Sequence, residues 1–387
     1  MINISRLYCG LPGESDYLRY EHRCSFGPVI AYNCTRRCNL SCLHCYSFSS
    51  FNKSNDELNT DDAKRLLSQL VEANCPVVLF SGGEPLLRED LFELLAEARQ
   101  LGLRTVISTN GTLIDAVTAN KLAKVGVHYV GVSIDGEEQF HDKFRQEKGS
   151  FRTALAGVRN CQKAGLKTGF RFTITKANAK QIPAVFDIAA SANVRRICFY
   201  HLIRSGRAKK LDEQVPGPLQ SRQVLDVIVE KTGDLVQKGL VDEVLTVGNH
   251  ADGPYLLVKM AKEKNQHFDK ARHLLLAAGG NKTGEKIGCV TWDGSVHPDQ
   301  FWLNYSLGNT KNKTFKQIWA NSAEPVLSRL RKKNEFADTK CLQCKWFDSC
   351  KGNFRFLNSN ADDENWLNEP ACYLTDEEIG ILYRLQN

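Results

Sequence analysis

Short apolar runs alternate with amphipathic stretches through the first half of the chain. Leu66, Leu67, Leu70 and Val71 recur at helical spacing, and Gly102 follows a second stretch of this kind. The apolar runs between such stretches predict buried β-strands. These predicted strands cover residues 28–32, 76–80, 105–108, 128–134, 170–174 and 196–200. The pattern therefore predicts six consecutive β/α units.

Strands that alternate with helices form a parallel sheet with helices packed against it. Six units are too few for a closed barrel, which needs eight strands. In complete barrels the active site lies at the C-terminal ends of the strands. We therefore expect the chemistry of this α/β core at the same edge.

The second half of the chain has a weaker pattern. Residues 211–283 contain one predicted helix around 224–228 and a polar, turn-prone segment at 247–255, which is either a plain loop or a substrate loop. Residues 288–298 predict a hairpin whose turn is Asp293-Gly294.

Composition narrows the functional class. Apolar residues make up 42% of the 387 residues and charged residues 25%, as in globular proteins. No apolar run reaches the roughly 18 residues of a membrane span, and no signal peptide is evident, so we expect a cytoplasmic protein without membrane contact. The net charge of +7 is mild, and the basic run 204–210 lacks the interleaved aromatic residues of nucleic-acid grooves, so no nucleic-acid partner is expected. Fourteen cysteines in such a protein indicate metal sites rather than disulfides.

Three cysteines in a short stretch carry the strongest chemical pattern. Cys38, Cys42 and Cys45 have the spacing Cys-x3-Cys-x2-Cys. A cubane iron–sulfur cluster normally takes four protein ligands, so three thiolates leave one iron open to a small molecule. Cys42 and Cys45 alone would also suit a zinc knuckle or a redox pair. A zinc knuckle needs a second ligand pair about one or two dozen residues further on, where none is found, and a redox pair does not explain Cys38.

This triplet resembles the signature of the radical S-adenosylmethionine (radical SAM) superfamily. The resemblance implies a partial (β/α)6 barrel, open on one side, in which S-adenosylmethionine (AdoMet) chelates the open iron and yields a 5′-deoxyadenosyl radical. His44 takes the place of a usual aromatic residue. The resemblance also implies that AdoMet is held by His44, Tyr46, Gly82, Gly83, Glu84, Pro85, Ser133, Asp135 and Arg171. Arg171 is equally suited to a structural carboxylate, because a buried arginine needs an anionic partner.

A second group of cysteines lies near the C-terminus. Cys341, Cys344, Cys350 and Cys372 suit either zinc or a second cluster on spacing alone. The segment resembles the SPASM/twitch extension of radical SAM enzymes, which implies two [4Fe-4S] clusters in all. Phe354 occupies a position that is cysteine in the full SPASM pattern, and Cys289 is left without a role. The predicted domains are a lead-in (1–27), the radical SAM core (28–210), a connecting segment (211–283) and a SPASM/twitch-like domain (284–387).

Several phrases resemble the tetrapyrrole-modifying branch of the superfamily. Examples are Gly279-Gly280-Asn281, His201 to Arg207 and His250-Ala251-Asp252-Gly253. The resemblance implies a role in heme or heme d1 biosynthesis, with radical removal or modification of acetate or propionate side chains of a siroheme-derived iron tetrapyrrole such as 12,18-didecarboxysiroheme. It also implies a reduced flavodoxin or ferredoxin-type electron donor.

Imidazole ligates haem iron and arginine binds carboxylates, so His250 is predicted to contact the substrate iron and Arg204 or Arg207 its side chains. A surface position of His250 is the alternative. Two other functions stay open: a SPASM-type peptide-modifying maturase and a non-catalytic iron–sulfur electron carrier.

Overall fold

The computed structural model describes residues 1–20, 26–337, 339–353 and 371–381; Phe354 lies outside them. Within these residues one mixed sheet forms the centre of the molecule. Its eleven strands are β1 (Ile2–Asn3), β2 (Val29–Thr35), β3 (Val77–Gly82), β4 (Arg104–Thr109), β5 (Tyr129–Ser133), β6 (Thr168–Ile174), β7 (Arg196–His201), β8 (Glu243–Val247), β9 (Ile287–Thr291), β10 (Ser295–His297) and β11 (Gly308–Asn309). The six predicted strands are confirmed as β2 to β7.

Helices connect and cover the strands. In chain order they are α1 (Ile4–Tyr8), α2 (Asp16–Tyr20), α3 (Thr60–Glu72), α4 (Leu91–Gln100), α5 (Ala116–Lys124), α6 (Glu138–Arg145), α7 (Ser150–Lys163), α8 (Ile182–Ser191), α9 (Pro218–Gln237), α10 (Asp252–Lys262), α11 (Phe268–Ala278), α12 (Phe315–Trp319), α13 (Pro325–Arg331), α14 (Lys333–Phe336), α15 (Thr339–Gln343), α16 (Phe347–Cys350) and α17 (Asp376–Ile379). Short 3₁₀ helices occupy Pro85–Leu87, Ala179–Gln181 and Gly206–Gln214.

The strand order is β1-β8-β7-β6-β5-β4-β3-β2-β9-β10-β11. Eight neighbours, from β8 through to β9, run parallel, whereas β1, β10 and β11 pair in antiparallel fashion. The predicted parallel core is thus extended by one strand at each edge. In the described part of the chain β8 and β9 do not pair, so the sheet is not closed.

Local sequence explains the helix boundaries. Helix α3 buries Leu66, Leu67 and Leu70 against the sheet, as their spacing predicts. Its N-cap is Asn59, whose side chain accepts a hydrogen bond from the Asp62 amide at 2.8 Å.

The polar segment 247–255 differs from the predicted loop. Strand β8 ends at Val247, and helix α10 starts at Asp252. Pro254 fits in the first turn because an amide at that position has no partner within the helix. The predicted hairpin is confirmed as β9 and β10, and Gly294 adopts the left-handed φ of +88° that the turn requires.

Candidate active site

A cavity of about 140 Å³ opens at the C-terminal ends of strands β2 to β7. The loop after β2 brings Cys38, Cys42 and Cys45 to one side of it. The other lining residues are His44, Tyr46, Ser47, Ser49, Ser81, Gly82, Gly83, Ser108, Thr109, Asn110, Ser133, Arg145, Arg171, Thr173, Tyr200, His201, Leu202, Ile203, Gln300 and Phe301. This cavity lies at the edge of the sheet where the active site is expected.

Arg207 holds the cysteine loop in place. Its Nε donates to the Cys42 carbonyl at 2.8 Å, and its Nη1 donates to the Ser49 carbonyl at 2.7 Å. The Arg207 amide also donates to the Cys45 carbonyl at 2.8 Å. The guanidinium of Arg207 is thus bonded to the protein, which does not support its predicted contact with a substrate carboxylate.

Arg145 stands behind Cys42. Its Nη1 lies 3.7 Å from the Cys42 Sγ, and its Nε and Nη2 bind Asp135 Oδ2 at 2.7 and 2.6 Å. The Thr173 amide donates to the other carboxylate oxygen at 2.9 Å. Asp135 is fully buried and is not among the described residues that line the cavity, so the structure gives it protein partners where a ribose contact was expected.

The three thiols differ in their surroundings. Burial raises the pKa of Cys38 to about 12 and also raises that of Cys42. Burial opposes ionisation of Cys45 too, but hydrogen bonds to Ser47 at 3.4 Å and Ser49 at 3.1 Å, together with nearby Arg207, leave its pKa lowered. Cys45 is therefore the readiest thiolate of the triplet.

His44 and Tyr46 both face the cavity. The His44 ring stacks on Phe144 with 4.2 Å between centroids, as an aromatic residue would, and burial lowers its pKa to about 3. The Tyr46 hydroxyl donates to Asn33 at 3.2 Å and lies 3.1 Å from the Ser81 hydroxyl. A neutral ring and a fixed phenol thus form the wall next to the thiols.

The Gly-Gly-Glu-Pro motif divides into two parts. Gly82 and Gly83 line the cavity, and a Cβ on Gly83 would lie 2.1 Å from the Arg37 carbonyl, so the cysteine loop itself requires glycine there. Glu84 is fully buried and accepts hydrogen bonds from Thr109 Oγ1 at 2.7 Å and the Asn110 amide at 2.8 Å. Glu84 and Pro85 are not among the described lining residues; Glu84 fixes the end of β4 instead.

Ser133 and Arg171 are register partners on β5 and β6, and both line the cavity. The Arg171 guanidinium lies 4.6 Å from the centre of the Tyr200 ring. Within the described part of the chain it forms no ion pair with a carboxylate. The alternative of a structural carboxylate is therefore not supported, and the charge of Arg171 is available to an anion in the cavity.

The four C-terminal cysteines meet at a second cavity of about 60 Å³. Cys341, Cys344, Cys350 and Cys372 line it together with Ala251, Pro254, Trp346 and other residues. Gly280 packs on this site, since a Cβ there would lie 2.3 Å from the Cys350 carbonyl. In the phrase Gly279-Gly280-Asn281, the close approach to Cys350 thus explains why the second residue is glycine. The backbone amide of Asn281 donates to the same Cys350 carbonyl at 2.9 Å.

His250 lies in neither predicted location. It is 5% exposed, burial lowers its pKa, and its backbone amide donates to Asn353. It is absent from the described lining of the first cavity, which does not support its predicted contact with a substrate iron. Its burial makes the surface alternative wrong. Asn249 and Asn353 bond to each other at 2.8 Å beside it, and this pair ties the two halves of the chain together.

Arg204 and Cys289 do not line the first cavity. Arg204 pairs with Asp212 at 3.7 Å and lines a shallow neighbouring cavity of about 270 Å³, which shares Phe301 with the first. Cys289 is fully buried on β9, accepts a hydrogen bond from Asn33 at 3.6 Å, and lines neither of the two cysteine cavities.

Sequence reasoning missed Arg145 and gave His201 no role. His201 ends β7 and faces the first cavity, so the rule of strand ends could have identified it.

The donor sets fit clusters better than single ions. In the part of the chain that the structure describes, no three Cys, His, Asp or Glu side chains are placed to hold one metal ion. In a cubane each thiolate binds a different iron, so the sulfurs surround a space instead of converging on one point. Three thiols around one cavity and four around another match that arrangement.

Comparison with known proteins agrees with this geometry. Residues 32–189 match the radical SAM superfamily, and residues 283–345 match SPASM, an iron-sulfur cluster-binding domain. The fold is similar to that of Streptococcus suis SuiB bound to S-adenosylmethionine, with a TM-score of 0.70 and 19% identity over 90% of this chain and 78% of that one.

Two relatives align over nearly the whole length. Fe-coproporphyrin III synthase of Methanosarcina barkeri is 47% identical over 98% of this chain and 99% of its own. The chain belongs to this family of radical SAM enzymes. Pre-heme d1 synthase of Dinoroseobacter shibae is 36% identical over 91% of this chain and 88% of its own.

Family membership confirms several predictions. The protein is an AdoMet-dependent enzyme of the tetrapyrrole-modifying branch, which excludes the non-catalytic electron carrier. Its cofactors are AdoMet and two [4Fe-4S] clusters, and its fold class is the predicted one. No described helix is long and apolar enough to span a bilayer. The predicted domain boundaries, the absence of a nucleic-acid partner and the individual site residues stay predictions.

Proposed function

We propose that this enzyme forms Fe-coproporphyrin III by removing acetate side chains from 12,18-didecarboxysiroheme. The observation that carries the proposal is the 47% identity to Fe-coproporphyrin III synthase, which extends over 98% of this chain. The identity to pre-heme d1 synthase is lower, at 36%. A precursor peptide as substrate is not favoured by either relative.

The first cavity provides what AdoMet chemistry needs. Cys38, Cys42 and Cys45 would hold a [4Fe-4S] cluster whose bound AdoMet supplies the radical that abstracts hydrogen from the substrate. Arg171 would bind the AdoMet carboxylate, since its guanidinium faces the cavity and has no carboxylate partner among the described residues. Ser133, its register partner, would hydrogen-bond to the same ligand.

The second cavity would hold the auxiliary cluster on Cys341, Cys344, Cys350 and Cys372. The substrate carries several carboxylates. Arg204 lines the shallow cavity beside the first with a partly exposed guanidinium, and Lys209 lies next to it. These two cations would bind peripheral carboxylates of the tetrapyrrole. A reduced flavodoxin or ferredoxin-type protein would supply the electron.

The test is a single anaerobic incubation. Reduced enzyme, AdoMet and 12,18-didecarboxysiroheme should yield 5′-deoxyadenosine and Fe-coproporphyrin III, identified by mass. Cys42→Ala should yield neither, because it removes a cluster thiolate. Loss of propionate instead of acetate would overturn the assignment of the side chain, and no change in the tetrapyrrole would overturn the proposed substrate.

A further inference from the structure

His201 is a cavity residue to which the functions above assign nothing. It ends strand β7, its side chain is 11% exposed, and it lines the first cavity beside Tyr200. Its Nε2 lies 2.9 Å from Asp252 Oδ2. Asp252 is fully buried at the start of α10, and its other oxygen accepts a hydrogen bond from the Tyr373 hydroxyl at 2.6 Å.

This chain of hydrogen bonds fixes the tautomer of the imidazole. Burial disfavours the charge of Asp252, but its bonds to His201 and Tyr373 outweigh burial and leave its pKa lowered, so the carboxylate is ionised and only accepts. Nε2 must then carry the proton that is donated to Asp252. In the neutral ring Nδ1 consequently presents a lone pair, and no described residue bonds to it.

A histidine whose second nitrogen donates to a buried carboxylate has the arrangement of a metal ligand. The carboxylate orients the ring and makes the ligating nitrogen more basic. Asp252 and Tyr373 are hydrogen-bonded to each other and buried, so the carboxylate that orients the ring of His201 is itself fixed. The other histidine that lines the cavity is His44, and its ring stacks on Phe144 beside the cysteine loop.

We propose that Nδ1 of His201 binds the iron of the tetrapyrrole substrate as an axial ligand, with Asp252 and Tyr373 as positioning residues. The proposal rests on the proposed function, because it requires an iron tetrapyrrole in this cavity. Histidine is a common axial ligand of haem iron. Such a bond would fix the height and tilt of the macrocycle relative to the cluster that holds AdoMet.

Binding of two matched ligands tests the assignment. Anaerobic enzyme with both clusters is titrated with 12,18-didecarboxysiroheme and with its iron-free counterpart, and binding is followed by optical spectroscopy. His201→Ala should bind the iron form at least about tenfold more weakly, because loss of a group that only hydrogen-bonds to a metal-ligating histidine already costs about 10–100-fold in metal affinity. It should bind the iron-free form as wild type does. His273→Ala, an exposed position on α11, serves as the matched control and should bind both ligands normally.

Chemical rescue separates ligation from a packing effect. His201→Gly leaves space for imidazole, so added imidazole should restore the wild-type Soret band of the bound iron form. Asp252→Asn should retain His201 as the iron ligand but weaken its bond to the iron. The Soret band should shift, and the affinity for the iron form only should fall roughly 10–100-fold.

Three results would overturn the inference. Equal loss of both ligands in His201→Ala would mean that His201 contacts the macrocycle and not its iron. Wild-type affinity and spectrum in His201→Ala would remove it from the site, and either result leaves the proposed function intact. Failure of the wild type to bind either tetrapyrrole would overturn the proposed function together with the inference.

Discussion

Arg145 places its Nη1 3.7 Å from the Sγ of Cys42 while its other two nitrogens hold the carboxylate of Asp135. All three side chains are buried. One guanidinium thus joins the cysteine loop to the end of β5, and a buried charge pair stabilises the loop that presents the thiols. Removal of the cation would leave Asp135 buried without its partner.

Arg145→Met should therefore lower the free energy of unfolding by about 3–5 kcal/mol, the usual effect of breaking a buried ion pair. Urea unfolding under anaerobic conditions measures the change. Arg152→Met is the matched control. Arg152 also pairs with a carboxylate, that of Glu138, but its side chain is 77% exposed. This substitution should therefore change the free energy of unfolding by no more than about 1 kcal/mol. Equal urea midpoints for the two variants would contradict the role of Arg145.

Seven cysteines around two cavities predict the iron content. Anaerobic analysis should give about eight irons and eight sulfides per chain, four for each cluster. The triple variant Cys38→Ala/Cys42→Ala/Cys45→Ala should keep about half of each. Cys289→Ala should keep all, because Cys289 lines neither cavity. Zinc in the C-terminal site, or loss of iron in Cys289→Ala, would contradict this assignment.

Arg171 should control the affinity for AdoMet. Loss of a charge-assisted hydrogen bond costs about 1.5–3 kcal/mol, so Arg171→Met should raise the Kd about ten- to hundredfold. Arg171→Lys should fall in between, because lysine keeps the charge but loses the planar fork. Equilibrium binding of AdoMet to the enzyme with both clusters measures the effect.

Arg196→Met is the control for Arg171. Arg196 also stacks on a tyrosine, with its guanidinium 4.4 Å from the centre of the Tyr129 ring, but it pairs with Glu243 at 2.9 Å and does not line the cavity. Its substitution should leave the Kd for AdoMet unchanged. An equal increase in Kd for both variants would indicate a general loss of structure instead of a lost contact.

Two carboxylates of the C-terminal domain should give opposite pH effects. Burial raises the pKa of Asp299 to about 6, above its unfolded value. The folded state therefore holds this proton longer than the unfolded state, and stability falls as pH rises from the unfolded pKa to about 6. Asp299→Asn should abolish a loss of roughly 1–2 kcal/mol between about pH 5 and 7.5 and should be more stable than wild type at the higher pH.

Asp293 is the matched control for Asp299. Burial disfavours its charge, but hydrogen bonds from Thr291 at 2.7 Å and Ser295 at 2.8 Å outweigh burial and leave its pKa lowered. Its contribution is present above the unfolded pKa and is lost as pH falls through the folded one. Asp293→Asn should therefore destabilise the protein at neutral pH. Urea unfolding of both variants at about pH 5 and 7.5 measures these effects. If both substitutions stabilised the protein at the higher pH, or both destabilised it, the opposite pKa shifts assigned to the two carboxylates would be contradicted.

The parallel core could be predicted because its strands are short, apolar and regularly spaced. Strands β1 and β8 could not be predicted, since β1 has only two residues and β8 lies in a segment without a repeating pattern. The rule of strand ends also predicted Gly82, Ser133 and Arg171 at the edge of the sheet where the first cavity opens, and all three line that cavity.

Side-chain partners were the harder part of the site. Asp135 and Arg207 have side chains of the type that binds ligands, but both are bonded within the protein. Asp135 pairs with Arg145, 10 residues further along the chain, and Arg207 donates to the carbonyl of Ser49, 158 residues away. Such pairing depends on the tertiary structure and leaves no local pattern in the sequence.

The pairing of β2 with β9 joins strands that are separated by most of the chain. During synthesis on the ribosome β2 emerges early, and one of its edges stays open until Ile287–Thr291 has been translated. An open strand edge favours pairing with other chains, and such exposure persists longest in large parallel sheets. The nascent enzyme should therefore depend on chaperones until its last third has left the ribosome, and a truncation before β9 should aggregate even though it contains every residue of the cysteine loop.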